Sequence, residues 1–195
     1  MWRHRFRRIC MCAPVSSNAL TRLFAAPRRR RLLWLLLAGT IVFGVAALPS
    51  LGTMQDNGVG ILELEFVRST ERADEFTAEL GSEGRSAART SLLLDYPYLL
   101  CYGLFLAGAC VAVAARAEHL GKRSLASAGT LIAWGGLGAA AMDAIENGAL
   151  LLILDGQTGQ PLPAIASGCA AVKFALAGTA LIYALIGWAA TRKAA

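Results

Sequence analysis

Charge is scarce in this 195-residue sequence: 16% of residues are Asp, Glu, Lys or Arg, against 56% that are hydrophobic. That is too little charge to dress the surface of a soluble globule of this length, and the composition calls for a bilayer as solvent. Histidine is scarcer still, with only His4 and His119 in the chain. Both lie in basic segments, far from the acidic ones. No histidine-containing metal site and no Ser–His or Cys–His nucleophile pair can be assembled from them, and no catalytic or metal-binding residue is nominated. Neither GxGxxG nor GxxxxGK[ST] follows a strand pattern, which leaves nucleotide binding unsupported and no cofactor expected. The five cysteines are an odd number and contain no CxxC. Cys10 and Cys12 lie in a basic leader, where acylation is an option without further support. Cys101, Cys110 and Cys169 lie in apolar runs and read as small core residues. No repeat occurs at a solenoid period.

What is present is apolar sequence in long runs. A spanning helix needs about 20 mainly apolar residues, and four segments supply them. No charge occurs between Arg31 and Asp56, which places a first transmembrane helix at residues 32–52. Residues 92–115 form the second, residues 124–154 the third, and residues 161–190 the fourth, interrupted only by Lys173. The first run could instead be a cleaved signal peptide, with Val45 and Ala47 at small-residue positions before the cut. The arginine-rich leader of about thirty residues is long for an n-region, and a retained anchor is the better reading. The leader, residues 1–31, has no sustained apolar period and is expected to be largely disordered up to about Ala26. Met11 is an alternative start.

The net charge of +6 resembles a nucleic-acid signal until its location is considered, because nine arginines precede Leu32. The basic clusters mark topology, and no nucleic-acid partner is expected. Arg28 to Arg31 precede the first span, Arg116, Lys122 and Arg123 join the second to the third, and Arg192 and Lys193 follow the fourth. Positive charge near short loops marks the cytoplasmic side. Both termini are therefore expected there, in the cell membrane or, for a bacterium, the inner membrane, with residues 53–91 on the opposite face. Within that outer segment ILELEFV alternates apolar and acidic residues, as a short strand or an extended stretch along the helix tops would. STERADEFTAEL follows, with Ser69 or Thr70 as N-cap and Ala73, Phe76 and Leu80 on one face, and predicts a short amphipathic helix. GSEGRSAARTS is expected to return the chain to the second span as a loop.

Four charges interrupt the apolar runs, and three of them share a height. Asp95 lies 21 residues before Arg116, Asp143 lies 20 after Arg123, and Lys173 lies 19 before Arg192. At about 1.5 Å per residue all three sit close to 30 Å above the basic boundary, at the outer edge of the hydrocarbon. Asp143, Glu146 and Asn147 share one helix face, as do Asp95, Tyr98 and Tyr102. Lys173 heads a row of small residues, Ala177, Ala180, Ala184 and Gly187, suited to close helix packing, and so should point inward. Gly135, Gly136 and Ala139 make a similar face below Asp143. Three carboxylates then face one ammonium, an excess that suits a cation, an organic amine or a shared proton. The alternative is an ion-pair network that only fixes helix register.

The stretches ELEFVRSTERADEF, LLLDYPYLLCYGL and GAAAMDAIENGALLLI resemble a pattern in small uncharacterised bacterial four-helix integral membrane proteins: an outer EFE-like stretch, an aspartate–aromatic entry to helix two and a D..EN motif on helix three. The resemblance covers residues 62–154 and implies a fold without a reaction. Length and topology are also similar to claudin-like four-helix proteins, although the tryptophan and paired cysteines of their first outer loop are missing here. The fold class expected is an all-α transmembrane bundle of four helices with a small extracytoplasmic subdomain between helices one and two. Three function classes stay open: a protein that binds or transports a cation, amine or proton at the acidic layer, a structural or assembly subunit, and a membrane enzyme acting on a lipid-like substrate. The bilayer is the one partner composition implies, and nothing identifies a protein partner.

Overall fold

The structure, a computed structural model, describes residues 19–24, 26–58, 60, 63, 65–66 and 68–192. Six helices account for most of these residues: α1 (Ala19–Leu23), α2 (Ala26–Asp56), α3 (Thr70–Glu79), α4 (Gly81–His119), α5 (Arg123–Leu154) and α6 (Leu162–Arg192). Four of them, α2, α4, α5 and α6, are long and apolar enough to cross a membrane. The architecture is an all-α four-helix membrane bundle. Helices α4, α5 and α6 pack against one another, while α2 packs along α4. The outward faces carry large apolar side chains, among them Trp34, Leu35, Ile41 and Val45 of α2 and Ile182, Leu185 and Ile186 of α6. Such a belt suits hydrocarbon and would aggregate in water.

Two expectations are corrected near the ends of α2. The leader is ordered earlier than expected: Ala19–Leu23 is helical, and Leu20 and Phe24 are buried in the inner core. Phe24 finds room because Gly108 of α4 has no side chain, and a Cβ there would collide with its ring. Cys10, Cys12, His4, Met11 and Lys193 lie outside the described residues. After α2, the ILELEFV stretch is no strand in its described part, since Glu63 and Glu65 have helical backbone and Phe66 is a turn. Three described positions cannot form a ladder without a partner strand, and a part-buried acid at Glu65, described below, takes the place of the expected alternation.

The expected loop at residues 81–91 is instead the first three turns of α4. The reason is local. Gly81 adopts φ +59°, the left-handed conformation that ends one helix and allows another to start at once. The residues after it include Ser86, Ala87, Ala88 and Arg89, which a helix accommodates readily. Gly84, Ala88, Ser91 and Leu92 are buried along one face, with Gly84 close against Leu80, whose Cδ2 would lie 2.8 Å from a Cβ there. Arg89 then pairs with Asp155 just past the end of α5.

Helix α3 forms the cap. Ser69 accepts a hydrogen bond from the Arg72 amide at 3.2 Å, satisfying one of the free N–H groups of its first turn. Its apolar residues Ala73 and Phe76, together with Leu80, are fully buried. They join Met54 of α2, Leu92 of α4, Leu150 and Ile153 of α5 and Ala166 of α6 in one core cluster. The outer ends of α5 and α6 are thus covered by protein. A second cluster fills the inner half around Leu106, Ala107, Cys110, Ala133, Ala180 and Tyr183.

Candidate functional site

Between the two apolar clusters lies a layer of charge. On α5, Asp143, Glu146 and Asn147 are all buried, because positions three and four apart turn to the same face and that face meets α4 and α6. Lys173 enters from α6, also buried among its row of small residues. Its ammonium donates to Asp143 Oδ1 at 2.9 Å, to Glu146 Oε1 at 3.0 Å and to Glu65 Oε1 at 3.1 Å. A lysine has three N–H donors, so every one is engaged by a different carboxylate. Glu146 straddles the ammonium, its Oε2 also 3.0 Å away, but neither this second oxygen nor Glu65 Oε2 makes a hydrogen bond.

Helix α4 completes the layer. Tyr102 donates to Asp143 Oδ2 at 2.8 Å, so both oxygens of Asp143 are held. Asn147 donates to Asp95 Oδ2 at 2.6 Å, tying the fourth carboxylate to the group without a direct bond to Lys173. Tyr98 packs its ring 5.3 Å from that of Tyr102. Pro97 stands within this stretch of α4 and supplies no N–H to the helix ladder.

The seven residues singled out in the sequence, Asp95, Tyr98, Tyr102, Asp143, Glu146, Asn147 and Lys173, thus occupy one neighbourhood. Glu65 was not among them. It belongs to the connection between α2 and α3, where counting along a continuous helix gives no height. Phe66 beside it stacks on Phe174 with ring centroids 6.2 Å apart, docking the connection onto α6 next to Lys173. The one signal available was an acid set within the apolar stretch ILELEFV. Burial raises the pKa of Glu65 above the ordinary carboxylate value, and the Lys173 ammonium pulls it back only in part.

The layer is accessible. A cavity of about 570 Å³ between α2, α4 and α6 is walled by Glu65, Asp95, Tyr98, Tyr102, Asp143 and Lys173 at one end and by apolar residues below. A smaller cavity of about 270 Å³, nearer the cap, shares Glu65, Asp95 and Tyr98 with it. Among the described residues no group of three or more His, Cys, Asp and Glu side chains is disposed to hold a metal ion. The acids close on the lysine nitrogen instead. Three carboxylates therefore contact one ammonium and a fourth, Asp95, adjoins them through Asn147; two of the four, Glu65 and Asp95, border both cavities.

Fold and site together define a polytopic helical membrane protein with a sheltered acidic layer open to a lateral cavity. Comparison with known proteins finds no matching family model, no matching curated protein and no matching solved structure, so the chemistry of this chain rests on its own geometry.

Proposed function

We propose that this chain is a membrane binding or transport protein that takes up a proton or a small organic amine at its acidic layer. The observation that carries the reading is the cavity at Asp95 and Glu65, in a layer whose only ammonium already has its three N–H groups committed. Excess negative charge in a sheltered site is costly, and a bound cation or a proton shared between carboxylates removes that cost. An amine suits the site better than a metal ion, since tyrosine rings and an apolar floor line it alongside the carboxylates.

The test is binding of n-butylamine and proton uptake by the detergent-purified protein, with Asp95→Asn as the variant. Asp95 makes no direct bond to Lys173, so the variant should fold normally while losing about tenfold in amine affinity, the effect of one charge-assisted contact. The full engagement of Lys173 favours a second reading, in which the layer only fixes helix register. In that case neither protein binds the amine and Asp95→Asn matches the wild type throughout.

The orientation that goes with this reading places both termini in the cytoplasm and α3 on the opposite face of the cell membrane, in a bacterium the inner membrane. It is supported by the basic residues gathered at one end of the bundle. Reporter fusions within residues 71–82 and after Ala195 test it. Cytoplasmic activity from the first fusion would overturn it. Membership of the bacterial four-helix proteins that the sequence resembles is part of the same proposal and adds no reaction to it.

A further inference from the structure

The basic end of the bundle, remote from the acidic layer, holds a second feature, whose apolar part meets the floor of the acidic-layer cavity at Leu37, Phe105, Leu106 and Leu181. Arg29 of α2 and Arg116 and His119 of α4 border a cleft of about 380 Å³. Among the described residues Arg29, Arg30 and Arg116 make no ion pair, although ion pairs occur elsewhere in the protein. The cleft continues into an apolar trough of about 500 Å³ between α2 and α6, floored by α4, and shares Arg29, Ala112, Val113 and Trp188 with it. The trough runs along α4 from Phe105 to Val113. That is about 12 Å at the helical rise, close to the depth of one leaflet of hydrocarbon. At its basic end the Arg192 guanidinium sits 5.0 Å from the ring of Trp188, an aromatic and basic pairing suited to the headgroup level.

We infer that this cleft and trough bind one anionic phospholipid, its phosphate between Arg29 and Arg116 and one acyl chain lying in the trough. Two features select that occupant. Unpaired guanidinium groups match phosphate oxygens in charge and in bidentate geometry. The trough opens where only lipid chains or another helix can fill it, and its basic rim prefers an anionic head to a zwitterionic one. A free phosphate ion would use the cleft and leave the trough without a role.

The measurement is lipid binding to the full chain in detergent, read by native mass spectrometry and by the rise in Tm on adding lipid. Three probes are compared with no addition: phosphatidylglycerol, phosphatidylcholine with the same chains, and soluble glycerophosphate. Phosphatidylglycerol should bind about tenfold or more tightly than phosphatidylcholine, with glycerophosphate without effect. The double variant Arg29→Gln, Arg116→Gln should lose that preference, by about 10- to 30-fold for two basic groups near a membrane surface. Arg28→Gln with Arg31→Gln, which removes equal charge outside the cleft, should keep it. Ala109→Phe, which fills the trough, should weaken both lipids while leaving the arginines in place, and it carries the test if the double variant fails to fold. Equal binding of the two lipids, competition by glycerophosphate, or a preference that survives the double variant would each overturn the inference. Asp95→Asn, which changes the acidic layer and not the arginines, should keep the preference for phosphatidylglycerol, so the two readings fail separately.

Discussion

The two apolar cores of this protein are built from different materials. The outer one, beneath α3, is filled by large side chains: Met54, Phe76, Leu80, Leu150 and Ile153 are each fully buried there. The inner one also buries Leu20, Phe24, Leu106 and Tyr183, but where its helices meet it rests on small residues, Ala107, Ala133, Ala180 and Cys110, and on glycines. At Gly103 a Cβ would come within 2.6 Å of Ala140 Cβ and 3.2 Å of the Gly136 carbonyl, and at Gly136 a Cβ would approach the Ala107 amide nitrogen to 3.1 Å. The contrast follows from solvent. In the proposed orientation the core under α3 stands above the hydrocarbon, where burying a phenylalanine removes it from water and the hydrophobic effect holds the cap down. Within the hydrocarbon there is no such drive, and helices associate through close van der Waals contact, which small residues allow. The charged layer lies between these regimes. It engages all three N–H groups of Lys173, and a lateral cavity reaches it between the helices.

The largest effect should come from the layer itself. Lys173→Met leaves Asp143, Glu146 and Glu65 without their countercharge, and breaking a buried pair in this way costs roughly 3 to 5 kcal/mol. Thermal unfolding in detergent should show the drop. A Tm equal to that of the wild type would mean that the three carboxylates do not depend on the ammonium. Next comes the outer core: Phe76 is fully buried, and Phe76→Ala opens a cavity under α3 worth about 3 kcal/mol. If this core behaves like that of a soluble protein, added guanidinium should expose a cysteine placed at Leu154 in the variant before any change in the inner helices. Simultaneous loss of both halves would erase the distinction between the cores.

How far the sequence revealed this arrangement depended on which rule each part obeys. The four spans were legible because hydrocarbon thickness sets a length, and the layer residues on α4, α5 and α6 were legible because a continuous helix converts residue number into height. Asp95, Asp143 and Lys173 could be ranked this way. Glu65 could not, since it reaches the layer from a connection without a regular rise. The start of α4 was misread for a related reason: Gly81 alone makes the break from α3, whereas the composition of residues 81–91, with two glycines and four serines or threonines, resembles an entire loop. The burial of Phe24 depended on a hole left by Gly108, which only packing reveals.

A smaller effect should distinguish the inner core. Gly103→Val forces a branched side chain against Ala140 and the Gly136 carbonyl, neither of which is the movable end of a flexible side chain. Overpacking of this kind costs about 2 kcal/mol. The same substitution at Gly168, where a Cβ would meet nothing within 4 Å, should cost no more than the difference in helix propensity. Unfolding of the two variants side by side in detergent compares them. Equal losses would show that close helix approach is not what holds the inner half together.

The smallest expected effect, Glu65→Gln, tests whether the layer has more acid than its lysine can use. Asp143 and Glu146 remain on the ammonium in this variant, and the amide fills the same space, so the loss at low pH should be slight. Glu65 has its pKa raised above the ordinary 4.5 by burial, with Lys173 opposing that shift. The folded protein therefore holds this proton more tightly than the unfolded chain does. By linkage, the contribution of Glu65 to stability is fully present below 4.5 and is lost as pH rises through the raised value. The wild type should thus lose stability relative to Glu65→Gln as pH increases from below 4.5 towards neutrality, and the difference in Tm between the two proteins should drift in that direction throughout. A constant difference would mean that Glu65 titrates alike in both states. A drift of the opposite sign would mean that the Lys173 pair outweighs burial, in which case Glu65 belongs to a satisfied network rather than to a layer with acid to spare.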